Sequence, residues 1–369
     1  MIYLDNAATT LIKPQAVSRA MVKAMNTMAS PGRGSHRPAM LAADLLYKCR
    51  CLAAELFGAG SPEQVVFTMN ATHGLNIAIN SLLRPGMSVL ISGAEHNSVT
   101  RPLKAGKANI LVAKAPLFDP KAQIDAFKRR IDQAELVVCT HVSNVFGAVM
   151  PIEEIAESCR SRHIPLIIDA SQSAGVLPID LQSLGAAFIA MPGHKGLFGP
   201  QGTGLLLCHE AGRPLLYGGS GSDSIEQTMP DYLPDGLEAG THNVCGIAGL
   251  MEGLKYVKEK GISSILAHEQ MLLYTMIEEL NDVEGLELFS GEMGFQTGVL
   301  SLRGKTISCE DVSEFLGDRG ICVRSGLHCA PFAHHSAGTL PTGTVRFSFS
   351  PFNTPAQIRA ACHALKELF

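Results

Sequence analysis

Two side chains suggest a chemistry that neither performs alone. Lys195 stands in "PGHKG" (192–196), between a histidine and glycines, directly after an apolar run. An amine held in a site can form a Schiff base; read by itself, Lys195 is equally a surface loop lysine. Asp169 closes "IPLIIDA" (164–170). A carboxylate at the end of an apolar strand must be paired or hydrogen-bonded, because an isolated buried charge is expensive. It either caps the next helix or faces a cationic ligand group. The ring nitrogen of pyridoxal phosphate is such a group, and a Schiff-base lysine with an aspartate on the pyridinium is a recurring arrangement. Between Asp169 and Lys195 there is room for one strand–helix–strand crossover.

Other segments are ambiguous alone. "NATHG" (70–74) lies where a strand meets a helix N-terminus, whose free N–H groups suit a phosphate but equally need a plain cap by Asn70 or Thr72. His96, in "AEHNS", can stack on a flat ring or be an ordinary hydrogen-bonded histidine. "RSGLHCAPFAHH" (324–335) carries a thiol and three imidazoles, the ligand types of a zinc site. The spacing argues against that use: His328 and Cys329 are adjacent, as are His334 and His335, so their side chains diverge.

The elements that must position these groups are short apolar runs alternating with helical patterns. "QVVFT" (64–68), "SVLIS" (88–92), "ELVVCTH" (135–141), "IPLIIDA" (164–170), "AAFIAM" (186–191) and "TGLLLC" (203–208) are continuous rather than alternating. Strands of that type are buried on both faces of a mainly parallel sheet flanked by helices. Polar residues cluster just beyond their ends: Asn70 and Thr72, His96, Asn144, Asp169 and Gln172, His194 and Lys195. Open α/β sheets bind ligands there. Beyond "EAGTHN" (238–243) a helical pattern runs to a glycine stop at Gly261, another helix runs to about Leu280, and short strands and helices follow, with strands at 298–303 and 344–350 and a last helix from about Pro355. This tail reads as a smaller α+β domain.

The chain has 369 residues, for which two domains is the prior expectation. Its net charge of −4 provides no electrostatic footprint for nucleic acid. No run approaches the roughly 18 apolar residues of a membrane span, and the first residues do not form a signal peptide. The 10 cysteines are scattered without a CxxC pair, so buried free thiols in a reducing, cytoplasmic setting are expected, with Cys139 and Cys208 inside strands.

"YLDNAATT", "NATHG", "AEHNS", "THVSNVFG", "IIDASQSAG", "GHKGLFGPQGTG", "EAGTHN", "VRSGLHCAPF" and "TVRFSFSPFNT" occur in the order and at about the spacings of class V aminotransferase-fold enzymes. The chain resembles most closely the cysteine desulfurases and selenocysteine lyases, over essentially its whole length. The resemblance implies a pyridoxal-phosphate-dependent transferase fold (fold type I), with a mainly parallel seven-stranded sheet in a large domain (15–243) and a small α+β domain (1–14 and 244–369). It implies that Lys195 carries pyridoxal phosphate, Asp169 pairs with the ring nitrogen, Gln172 bonds the phenolic oxygen and His96 stacks on the ring. Asn144 would lie beside the phenolic oxygen and the substrate. Ala71, Thr72 and His194 would hold the phosphate, and Thr241 would reach the phosphate of the other subunit of a homodimer. Arg346 would clamp the substrate carboxylate, and Cys329 would accept sulfur from L-cysteine, leaving alanine. The short stretch from Cys329 to Arg346 resembles enzymes that work with a dedicated sulfur-acceptor protein. Selenocysteine lyase, or another lyase or aminotransferase of the same fold, is the alternative. Two positions depart from the pattern. Pro192 stands where many relatives have a phosphate-binding serine, and His73 where they often have glutamate. His334 and His335 are expected on the surface.

Overall fold

The computed structural model describes residues 1–32 and 34–369. The six apolar runs and a further edge strand, Asn109–Val112, form one seven-stranded sheet in the order Val65–Thr68, Gly204–Cys208, Phe188–Pro192, Leu166–Asp169, Leu136–Thr140, Ser88–Ile91, Asn109–Val112. Neighbours from Phe188–Pro192 onward pair in parallel, whereas Gly204–Cys208 runs antiparallel to both of its neighbours. Successive strand residues serve opposite faces. Leu90, Val137, Ile168 and Ile189 join one core, and Val89, Leu136, Ile167 and Phe188 the other. This double coverage is why the sequence runs are continuously apolar.

A second, antiparallel sheet has the order Arg324–Gly326, Thr344–Ser348, Val299–Gly304, Leu286–Phe289. Its core combines Leu300 and Phe347 with Leu272 and Met276 of helix Ile262–Leu280, Ile358 and Leu365 of helix Pro355–Leu368, and Leu4. Ile2–Tyr3 pairs with Ile321–Cys322, so the chain start is built into this second body. Helix Val244–Lys260 ends at Gly261, at φ 82°, but packs Ile247, Leu250 and Leu254 into the core of the large sheet.

Two loops at the strand ends touch closely. A Cβ on Gly196 would lie 2.4 Å from the Ala174 carbonyl oxygen, and one on Gly175 2.2 Å from that of Gly196. Only bare backbone permits this approach, and it seats the loop carrying Lys195 against the loop carrying Gln172.

Segment 324–335 is a short strand, Arg324–Gly326, followed by a turn and a helix. Pro331 opens a helix, Pro331–Ala337, in which its missing N–H leaves nothing unsatisfied. The helix turns His334 inward, contrary to its expected surface position. His334 is fully buried, with Nδ1 2.7 Å from Thr339 Oγ1 and its ring against Phe146. His335, on the other face, is exposed. Among the described residues no three His, Cys, Asp or Glu side chains gather as metal ligands. The His328 and His334 rings stack at 5.7 Å instead.

Candidate active site

Asn70 caps helix Ala71–Leu82, its side chain accepting the His73 N–H at 2.9 Å. His96 caps helix Asn97–Ala105, its Nδ1 accepting the Ser98 N–H at 3.1 Å. These two helix starts, the strand ends at Thr140, Asp169 and Pro192, and Arg346 of the second sheet enclose one cavity. Around it stand Ala71, Thr72, His96, Asn144, Asp169, Gln172, His194, Lys195 and Arg346. Cys329 lies in an adjoining cavity that shares Thr72, His96 and Ser98 as its wall. Thr241 is not brought to either. It lines a separate cavity with His73, whose Nδ1 accepts the Met69 N–H at 3.3 Å.

Lys195 retains some accessible surface because it faces the cavity, yet protein surrounds it. Desolvation lowers its pKa to about 8; Asp169 opposes that shift, while Arg346 and Arg324 add to it. The amine therefore loses its proton far more easily than a solvated lysine. Burial likewise lowers His96 and His194 to about 4, so both imidazoles are neutral at neutral pH. With the Ser98 N–H at Nδ1, the proton of His96 is assigned to Nε2.

Asp169 Oδ1 accepts both the backbone N–H (2.9 Å) and the hydroxyl (2.5 Å) of Ser171. Gln172 donates one amide hydrogen to the Ala7 carbonyl at 3.0 Å, leaving its second hydrogen and its oxygen. His194 Nδ1 is 3.1 Å from Thr9 Oγ1.

Arg346 is 1% exposed, yet its charge is compensated. Its Nη2 contacts Asp5 Oδ1 at 2.5 Å, and its Nη1 donates to the Asn144 carbonyl at 3.0 Å. Arg346 Nε and Asn144 Oδ1 are both buried without a partner. Unpaired buried polar atoms are costly, and here they belong to side chains on the cavity. A bound group with a carboxylate, a phenolic oxygen and a cationic ring nitrogen matches this donor and acceptor set. The residues therefore fit pyridoxal phosphate together with an amino-acid substrate.

The thiol is presented by a strained turn. His328 and Cys329 both adopt left-handed backbone, with φ of 47° and 57°. Each such non-glycine residue costs about 1–2 kcal/mol. Asn144 Nδ2 holds the His328 carbonyl at 2.8 Å, and the Asn97 N–H holds the Cys329 carbonyl at 2.7 Å. His328 is buried, with Nε2 3.2 Å from Thr344, while Cys329 is exposed. Arg324 Nη2 stands 3.9 Å from Cys329 Sγ and also lines the larger cavity. Asp5, Arg324 and Ser98 all sit within segments that the sequence singles out, but nothing in their spacing assigns them a role. Asp5 lies at the far end of the chain from Arg346.

A family model described as Aminotransferase class-V matches residues 2–360. A probable cysteine desulfurase of Methanothermobacter thermautotrophicus is 33% identical over 384 residues, spanning 100% of this chain and 94% of the relative. The apo structure of a cysteine desulfurase from Thermococcus onnurineus superposes with a TM-score of 0.90 at 29% identity, covering 100% of this chain and 94% of that one. The S-sulfonic acid form of the cysteine desulfurase CsdA of Escherichia coli gives a TM-score of 0.87 at 26% identity, covering 99% and 94%.

Proposed function

This chain belongs to the class-V aminotransferase family, and from that membership we propose that it is a pyridoxal-phosphate-dependent cysteine desulfurase. It converts L-cysteine to L-alanine and leaves the sulfur on Cys329 as a persulfide. One observation carries the reading: a desolvated lysine, a carboxylate and a buried guanidinium share a cavity whose neighbour opens on an exposed thiol.

Bound pyridoxal phosphate supplies an electron sink for the pair released at the substrate Cα. Asp169, its Oδ1 fixed by Ser171, would pair with the ring nitrogen, Gln172 would bond the phenolic oxygen, and the neutral His96 would stack on the ring. Ala71, Thr72 and His194 would hold the phosphate. Arg346 takes the substrate carboxylate, to which a guanidinium presents a planar fork, with Asn144 beside it. Lys195 holds the cofactor and then, as a free amine, takes the proton from Cα. Cys329 Sγ, as thiolate, attacks the substrate sulfur. An S–S bond forms, the C–S bond breaks with its electron pair kept by carbon, and protonation of that carbon together with return of a proton from Lys195 to Cα gives alanine. Arg324 places a positive charge beside the new persulfide.

The chain works as a homodimer in this reading, because Thr241 lies away from the cavity of its own chain and is free to serve a partner's. The body of 15–243 holds the cofactor; that of 1–14 and 244–369 supplies Arg346 and Cys329, with helix Val244–Lys260 resting on the larger one. A sulfur-acceptor protein removes the persulfide sulfur. None of the 10 cysteines is paired, which suits a reducing compartment, and among the described residues no helix is long and apolar enough to cross a membrane.

Selenocysteine lyase is the second reading, favoured by one fact: Cys329 stands beside the lysine-containing cavity rather than in it. Turnover of L-cysteine against L-selenocysteine, scored as alanine for wild type and Cys329→Ser, separates the two. A desulfurase loses alanine formation from cysteine in the variant. A lyase retains it from selenocysteine and has little activity on cysteine from the start.

A further inference from the structure

Pro192 leaves the cavity short of a donor. It is buried at the end of its strand and lines the cavity, but it has neither a hydroxyl nor a backbone N–H. A phosphate dianion requires several donors, so a missing one has to come from another residue. Four hydroxyl side chains line this cavity: Thr72, Ser98, Thr140 and Ser171. Ser171 Oγ is committed to Asp169. Thr140 pairs across the sheet with Asp169 and so stands at the ring-nitrogen end. Only Ser98 is close to Thr72, with the two hydroxyl oxygens 2.7 Å apart.

Thr72 and Ser98 are each the second residue of a helix, Ala71–Leu82 and Asn97–Ala105. Around Ser98 the first-turn N–H groups are already bonded, that of Asn97 to the Cys329 carbonyl, that of Ser98 to His96 Nδ1 and that of Val99 to the His96 carbonyl, so Ser98 offers an anion its hydroxyl alone. Ser98 Oγ is also 2.8 Å from His96 Nδ1. That nitrogen accepts the Ser98 backbone N–H as well, so the hydroxyl hydrogen can turn from it to an anion without leaving the nitrogen unpaired. We infer that the Ser98 hydroxyl is a direct anchor of the cofactor phosphate, paired with Thr72, and supplies the donor that Pro192 lacks. This assignment rests on the cofactor reading above.

The test uses the full chain freed of cofactor and retitrated with pyridoxal phosphate and, separately, with pyridoxal, which lacks the phosphate. The readout is the visible absorbance of the lysine adduct. Ser98→Ala weakens pyridoxal phosphate about tenfold, the scale of one hydrogen bond to a charged group, and leaves pyridoxal unchanged. Adding Pro192→Ser to Ser98→Ala recovers most of the lost affinity. Thermal melting of each variant verifies that it is folded. Affinity for pyridoxal phosphate within about twofold of wild type overturns the assignment. So does equal weakening of both ligands, which would mean that Ser98 acts only by orienting His96. If the wild type gives no adduct with pyridoxal phosphate, the cofactor reading itself falls, and this anchor with it.

Discussion

Replacing Lys195 with methionine removes the amine while keeping the length of the side chain, and the structure predicts that the cofactor-free protein becomes more stable. Burial holds the Lys195 pKa at about 8, against 10.5 for a solvated lysine. Each unit of such a shift corresponds to about 1.4 kcal/mol, so the folded state carries a penalty of about 3 kcal/mol for keeping this ammonium in the cavity. The sign follows from proton counts. Below about pH 8 both folded and unfolded chains are protonated and the penalty is complete. Between about 8 and 10.5 the unfolded chain binds a proton that the folded one has released, so stability rises with pH. Above 10.5 neither state is protonated and the penalty is gone. Urea unfolding of cofactor-free wild type and Lys195→Met across this range provides the assay. The variant should be more stable by about 2–3 kcal/mol at neutral pH, after allowance for the water that reaches the cavity. Its advantage should shrink steadily above pH 8. A pH-independent difference, or a variant less stable at neutral pH, refutes a desolvated amine at this position.

Other expectations come from this cavity and the one adjoining it. Cys329→Gly should be more stable than Cys329→Ala by about 1 kcal/mol in thermal unfolding, because glycine relieves the left-handed backbone at φ 57° while alanine does not. Arg346→Lys keeps the charge but loses the fork to the substrate and one of its contacts to Asp5 and Asn144; KM for L-cysteine should rise tenfold or more in steady-state kinetics. His96 and His194, held near 4 by burial, should show no imidazole titration in the neutral range by NMR. The unfolded chain protonates these histidines first, so they should subtract stability as the pH falls from about 6.5 toward 4.

The large sheet was legible in six of its seven strands because those are apolar on both faces and five of them lead into polar residues; the edge strand Asn109–Val112, only partly buried, carries no such signal. That pattern places Asp169, Asn144, His96 and Lys195 at one edge before any contact is known. The thiol and the guanidinium of the second body came instead from motif resemblance. What the sequence hides is pairing across distance. Asp5 reaches Arg346, Thr72 meets Ser98, and Arg324 stands beside Cys329. Each depends on how a side chain projects from an element, which apolar periodicity does not encode. His334 departs from its expected surface position for a local reason: Pro331 begins a helix, and adjacent residues of a helix face different directions, so His334 turns inward while His335 stays exposed.

The most direct test of the account is the mass of the peptide carrying Cys329 after the cofactor-loaded protein meets L-cysteine, with alanine measured in the same sample. The account predicts that this peptide gains one sulfur atom, that alanine appears with it, and that both are lost in Lys195→Ala. Alanine formed with no sulfur on Cys329, or a keto acid in place of alanine, contradicts it.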